Sequence, residues 1–279
     1  MILNAAETTN IQHDVRAAGQ YAKQLATQEF QVSEKGPDDF VTTVDRALDE
    51  RLTQQFSQLF PQDGVITEEN AASRLHFQGE FERLWCIDPL DGTKDFINGD
   101  RNYAVLVGLL QNKQPVAGWI YAPESDVMYY GGADLGVWKM QGGGQPQSCQ
   151  GAALPDSGSY RMIIGDADFG NFGEAIRDSV PEIECVRSPG SFGLKVMQVV
   201  TGNAELYVYL NGRVKVWDSV SSVAIARAAG LVCCDLMGKP LGYEDELIDL
   251  ESLAHQQTIV VGRESYVESL LPRLRAAIL

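Results

Sequence analysis

The chain has 279 residues, 44% of them hydrophobic, with 22 basic against 38 acidic side chains and a net charge of −16. That charge argues against a nucleic-acid polymer or an anionic membrane as the main partner. Three isolated histidines (His13, His76, His255) leave little for a His-rich zinc centre or a Ser-His-Asp triad, so chemistry must rest on carboxylates, hydroxyls and bound cations.

In chain order, the opening MILNAAETTN has neither the basic region nor the apolar core of a signal peptide, and a cytoplasmic protein is expected. Residues 8–31 predict an amphipathic helix with Val15, Ala18, Ala22 and Leu25 on one face, and a second helix is predicted from Thr43 to Phe60, ended by Pro61. VSEKGPDDF between them reads as a polar loop. YAVLVGLL, VAGWIYA, VMYYG and GVWKM, separated by NKQP, PESD and GGADL, predict an antiparallel meander. The longest apolar run, AVLVGLL, is far too short to span a membrane. QGGGQPQ at 141–147 is the expected boundary between an N-terminal α+β part, 1–147, and a C-terminal α/β part, 148–279. Beyond it strand-like MIIG, IECV, ELYVYL, LVCCDL and TIVVG alternate with helix-like NFGEAIRDSV, FGLKVMQVVTG, DSVSSVAIARAAG and a terminal helix that Pro272 should shorten or kink. Five cysteines, odd in number and without CxxC spacing, read as reduced structural thiols, Cys233-Cys234 included.

WCIDPLDGTKDF at 85–96 places Asp88 and Asp91 close together after an apolar run. A surface turn would explain them alone. Asp45 after FVTTV, Glu68 after GVIT and Asp218 after KVW also have ordinary readings, as an early-helix charge, part of a solvated loop and a helix N-cap. Together they suit hard cations: two Mg²⁺ ions about 4 Å apart need one carboxylate between them and others outside. Asp88 is placed to bridge, Pro89 can turn the Leu90 carbonyl and Asp91 into one pocket, and the start of helix TKDFI offers backbone N–H groups to a phosphate.

EEN at 68–70, DPLDGTKDF at 88–96 and WDSVSSVAIARAAG at 217–230, with DDFVTTVD at 38–45, resemble the signatures of the inositol monophosphatase superfamily of Mg²⁺-dependent, lithium-sensitive phosphatases, in matching order. The resemblance implies a layered αβαβα sandwich of the inositol monophosphatase/fructose-1,6-bisphosphatase type and a homodimer. It implies metal ligation of two or three Mg²⁺ ions by Glu68, Asp88, the Leu90 carbonyl, Asp91 and Asp218, with Glu68, Asp45 and Thr93 acting on the attacking water. It also implies substrate contacts from Gly92, Thr93, Gly190 and Ser191. Lys94 and Asp95 are closer to the 3'(2'),5'-bisphosphate nucleotidase branch, which clears 3'-phosphoadenosine 5'-phosphate. Asn211 stands where many inositol phosphatases carry an acid that contacts inositol hydroxyls, and Lys195, Arg213 and Lys215 are candidates for a second phosphate.

The expected activity is hydrolysis of a small phosphomonoester by metal-activated water. The alternatives are inositol 1-phosphate or fructose 1,6-bisphosphate as substrate, or a catalytically silent regulatory member of the fold. An aspartyl-phosphate phosphatase would need DxDGT, one residue shorter than DPLDGT, and Pro89 breaks an EF-hand loop.

Overall fold

Local sequence sets the limits of the first helix. In the computed structural model, which describes residues 2–36, 39–150, 160–188 and 190–279, α1 (Ala5–Ala26) starts at a reciprocal capping box between Asn4 and Glu7 and buries Ile11, Val15, Ala18 and Ala22. It ends before the predicted 31 because Thr27 turns its N–H and hydroxyl back onto the Gln24 carbonyl, a local bond that competes with further helix. Residues expected as a polar loop form an antiparallel hairpin, β1 (Val32–Gly36) and β2 (Asp39–Thr42). β1 is largely exposed and so lacks the apolar alternation that marks a strand. Pro37 and Asp38, which belong to the motifs quoted above, lie outside the described residues, as does Pro189. α2 (Thr43–Leu59) opens on a second capping box, Thr42 with Asp45.

Among the described residues, β3 (Gly64–Thr67), β4 (Arg83–Asp91), β5 (Ala104–Gln111), β6 (Gln114–Ala122), β7 (Val127–Gly132), β8 (Gly136–Gln141) and β9 (Gln147–Ser148) lie side by side in chain order. β3 and β4 are parallel and every later neighbour is antiparallel, so the predicted meander stands with one parallel pair at its edge. The short α3 (Thr93–Ile97) follows β4. QGGGQPQ turns the chain from β8 into β9 inside this sheet, with Gly142 and Gly143 at positive φ.

The remaining elements are β10 (Tyr160–Ile164), α4 (Asp166–Ser179), β11 (Ile183–Arg187), α5 (Phe192–Val200), β12 (Leu206–Tyr209), α6 (Val216–Ala228), β13 (Val232–Cys234), β14 (Ile259–Gly262) and α7 (Glu264–Ile278). The second sheet has the order β11-β10-β12-β14-β13, parallel around β10 and antiparallel around β14. α7 is not shortened at Pro272: Leu270, Leu271 and Leu274 around it are buried against this sheet, and that packing outweighs one missing backbone hydrogen bond.

Strand alternation sorts the layers. On β4, Trp85 and Ile87 pack with α1 and α2, while Leu84 and Cys86 face a core shared with α5, α6 and residues Tyr207, Cys233 and Val261 of the second sheet. The far face of the second sheet is covered by α4 and α7. The result is a layered αβαβα sandwich in which α5 and α6 form the middle layer. No helix among the described residues is long and apolar enough to cross a membrane.

His255 is among the ionisable groups buried in that middle layer. His255 is 3% exposed, and burial alone pushes its imidazole down to about 3 from 6.5. The unfolded chain therefore binds a proton below about 6.5 that the folded chain refuses, so stability is full above that pH and declines as pH falls toward the folded value. A gap of this size is worth several kcal/mol at its acid limit. Urea midpoints should fall more steeply between pH 7 and 4.5 in the wild type than in His255→Gln; parallel pH curves would contradict this.

Candidate active site

A bulge explains why two aspartates three residues apart share a pocket. In a regular strand residues 88 and 91 would point to opposite faces. β4 pairs Asp88 with Leu106 and Asp91 with Ala104 of β5, so it carries one extra residue there. Pro89, which has no N–H to give a ladder, sits in this interruption. Asp91 is returned to the side of Asp88, which follows Leu84 and Cys86 toward the middle layer where α6 begins. Next, Gly92 takes φ +95, and a Cβ there would lie 2.8 Å from the Asn102 carbonyl oxygen; the chain can then enter α3.

Asp45 and Asp218 are placed by one shared device. Each is the third residue of its helix and reaches back to the residue before the first turn. Asp45 Oδ2 accepts from the Thr42 N–H at 2.8 Å, and Asp218 Oδ2 accepts from the Lys215 N–H at 2.7 Å. Asp218 is thus not the N-cap that the sequence allowed. In Asp45 the second oxygen accepts the Thr93 hydroxyl at 3.0 Å, and the same hydroxyl lies 3.0 Å from the Leu90 carbonyl.

These elements meet at a cavity of about 620 Å³ lined by Glu68, Asp88, Leu90, Asp91, Thr93 and Asp218, with Gly92, Gly190 and Lys195 also on its wall. Of the other predicted residues, Asp45 joins the site through Thr93. Ser191 is buried and donates its hydroxyl to Asp91 Oδ2 at 2.5 Å, while Asn211 accepts from the Arg213 N–H at 3.2 Å in a local turn. Neither Ser191 nor Asn211 lines the cavity. Asp91 further accepts from the Phe192 and Gly193 N–H groups at 3.1 and 2.9 Å, at the start of α5.

Electrostatically the cavity is overloaded with negative charge. Burial, then the charges of Glu68, Asp91 and Asp218, lift the Asp88 carboxyl well above its usual range. Asp218 rises to about 8 through burial and the charges of Asp91 and Glu68. Asp91 is raised by burial against the pull of its Ser191 and backbone donors. Among the described residues no group of three or more His, Cys, Asp or Glu side chains is already gathered to hold a metal ion. The hydrogen bonds show what engages them instead: Asp88 accepts from the Leu90 N–H at 2.9 Å, Asp91 and Asp218 are held as above, and Glu68 is drawn to Lys35. The donor set still fits hard divalent cations, because several carboxylates and a carbonyl face one cavity whose charge a cation would offset.

Lys35 was missed by sequence reasoning. From β1 its Nζ reaches Glu68 at 2.7 Å and Glu69 at 2.9 Å, with Asp39 at 3.5 Å. Burial works against its charge, yet the two glutamates outweigh burial and raise its pKa. Glu69 is pushed to about 7 by burial and by Glu68. Asp49, one helical turn beyond Asp45 on α2, accepts from the Glu69 N–H at 3.4 Å; a four-residue acidic spacing at the helix start was its only signal. Tyr209 at the end of β12 and Phe40 on β2 add aromatic wall to the cavity.

Residues 4–268 match the inositol monophosphatase family. The chain is 30% identical over 239 residues to a fructose-1,6-bisphosphatase/inositol-1-monophosphatase of Aquifex aeolicus, covering 85% of this chain and 86% of that protein. It is 31% identical over 233 residues to the 3'(2'),5'-bisphosphate nucleotidase CysQ of Escherichia coli K12, covering 82% and 90%. Its fold resembles that of the extragenic suppressor protein SuhB of Bartonella henselae, with a TM-score of 0.77 at 22% identity over 97% and 98% of the two chains. CysQ of Bacteroides thetaiotaomicron gives 0.73 at 21% identity over 95% and 99%. The chain belongs to the inositol monophosphatase family and is a metal-dependent phosphatase of small phosphomonoesters.

Proposed function

We propose that the chain is a Mg²⁺-dependent 3'(2'),5'-bisphosphate nucleotidase acting on 3'-phosphoadenosine 5'-phosphate. The observation that carries this reading is that one cavity holds both the carboxylates and a set of basic side chains, Lys195, Arg213 and Lys215. One phosphate of the substrate lies at the acidic end and a second charged group meets the basic residues. Asn211, with no charge and turned into its own loop, offers no carboxylate to inositol hydroxyls. The CysQ relatives support the same branch. Inositol 1-phosphate or fructose 1,6-bisphosphate is the second reading, favoured by the name of the Aquifex relative.

In this proposal Glu68, Asp88, the Leu90 carbonyl, Asp91 and Asp218 hold two or three Mg²⁺ ions. Such ions, when bound, neutralise phosphate charge and lower the pKa of water. The chain's own groups do the positioning. Asp45 takes the Thr93 hydroxyl hydrogen, which leaves the Thr93 oxygen free to accept from the attacking water; Glu68 borders the same space. Gly92 and Thr93 N–H groups bind phosphate oxygens, and Gly190 with Lys195 borders the leaving group. Lys195 donates to the Gly190 carbonyl at 2.7 Å, which fixes that wall. The working form in this proposal is a homodimer.

The test is phosphate release with Mg²⁺ from 3'-phosphoadenosine 5'-phosphate, inositol 1-phosphate and fructose 1,6-bisphosphate. The first should show the highest kcat/KM, chelation should abolish turnover, and Ca²⁺ should inhibit it. Equal or higher kcat/KM on inositol 1-phosphate overturns the substrate assignment, and full turnover after exhaustive chelation overturns the metal assignment.

A further inference from the structure

Beside Asp218 lies a buried polar trio that phosphate hydrolysis does not use. Ser219 is fully buried; its Oγ is 2.7 Å from His255 Nε2 and accepts the Tyr243 hydroxyl at 3.1 Å. Tyr243 is also fully buried, and its ring meets the His255 ring edge-on at 5.1 Å between centroids. All around them the middle layer is apolar: Val216, Trp217, Ile248 and Leu253 belong to the same core. Such a place favours apolar side chains, since each buried polar atom must be matched by a partner. His255 Nδ1 has none in the protein. With no exposed oxygen on Ser219 and no acid on Nδ1, the Ser-His pair is not a nucleophile.

The backbone shows what the trio holds. Residues 253–255 run antiparallel to 214–216, with Val216 N–H to the Leu253 carbonyl at 3.0 Å and His255 N–H to the Val214 carbonyl at 2.9 Å. His255 therefore belongs to a strut laid along the entry to α6, and its side chain pins the residue that follows Asp218. Tyr243 braces the same hydroxyl from a third segment. Lys215 and Ala254, carried by these two stretches, line the cavity, as does Ser252 beside them.

We propose that Tyr243, Ser219 and His255 are positioning residues that fix the axial and rotational setting of the first turn of α6, and so the place of Asp218 relative to Asp88 and Asp91. This rests on the reading of Asp218 as a metal ligand. A hydroxyl–imidazole bond is directional, whereas an apolar contact at residue 219 would let the turn rotate until packing alone stopped it.

The test is Mn²⁺ titration by calorimetry on the substrate-free protein, with urea stability measured beside it. Asp218→Asn provides the reference loss at one metal site. Ser219→Ala and His255→Leu should weaken Mn²⁺ at that same site by about 10-fold, the scale on which groups behind a ligand act. His255→Gln, which can still bond Ser219, should restore most of the affinity, and Tyr243→Phe, which removes one hydroxyl and keeps the packing, gives a smaller loss in a folded protein. Folded Ser219→Ala and Tyr243→Phe proteins with wild-type Mn²⁺ titration, while Asp218→Asn loses a site, would overturn the proposal. An Asp218→Asn protein with wild-type titration would instead remove the reading on which the proposal stands, and overturn it by that route.

Discussion

Asp218→Asn should fold normally and release phosphate at least about 100-fold more slowly than the wild type. The amide oxygen can still accept the Lys215 N–H that Asp218 Oδ2 accepts at 2.7 Å, so the start of α6 keeps its local bond. What disappears is a negative charge at the cavity. A cation that stabilises transition-state charge contributes several kcal/mol, and every 1.4 kcal/mol is a factor of ten in rate. Phosphate release across a Mg²⁺ titration, with circular dichroism as the check on folding, reads both quantities. Turnover near wild type at ordinary Mg²⁺ would take Asp218 out of the site.

Gly118→Ala should be strongly destabilising. A Cβ at Gly118 on β6 would lie 2.1 Å from the Ser221 carbonyl oxygen and 2.6 Å from its Cα, and Gly108 on β5 would meet the Ser221 nitrogen at 2.5 Å. Both obstacles are the backbone of α6, which cannot swing aside as a flexible side chain can. The helix must lift from the sheet, at a cost of about 3 kcal/mol, or roughly 6–12 °C in Tm for a chain of this class. Gly170→Ala provides the opposite sign by the same chemistry. Gly170 lies within α4 with nothing within 4 Å of its Cβ position, so alanine should stabilise by about 0.5–1 kcal/mol. Equal melting temperatures for the two variants would refute the account of the α6 seat.

What was legible in the sequence, and what was not, divides along physical lines. Asp88, Asp91 and Asp218 were readable because charge beside apolar runs is costly without a partner. The bulge that brings Asp88 and Asp91 to one side was not, since it is a property of the β4–β5 register and not of β4 alone. Buried helices and inner strands carried their periods plainly. The hairpin holding Lys35 had no apolar period, because β1 is largely exposed and is held by backbone pairing and by the ion pairs of one ammonium. Ser191 could be named from the family resemblance, yet only the fold shows its hydroxyl spent on Asp91. Pro272 was read by its local rule, and burial of its neighbours prevailed.

The position of α5 and α6 between two sheets also fixes the order in which the chain can be finished as it is made. By the time β9 has left the ribosome the first sheet has all its strands, but the face bearing Leu84, Cys86, Leu106 and Ile120 still lacks the helices that cover it. Those helices arrive with residues 192–200 and 216–228. At about 5–20 residues per second, the nascent chain must carry an uncovered apolar sheet for on the order of several seconds. The covering of this face waits for α6, and the nascent chain is most exposed to aggregation in that interval.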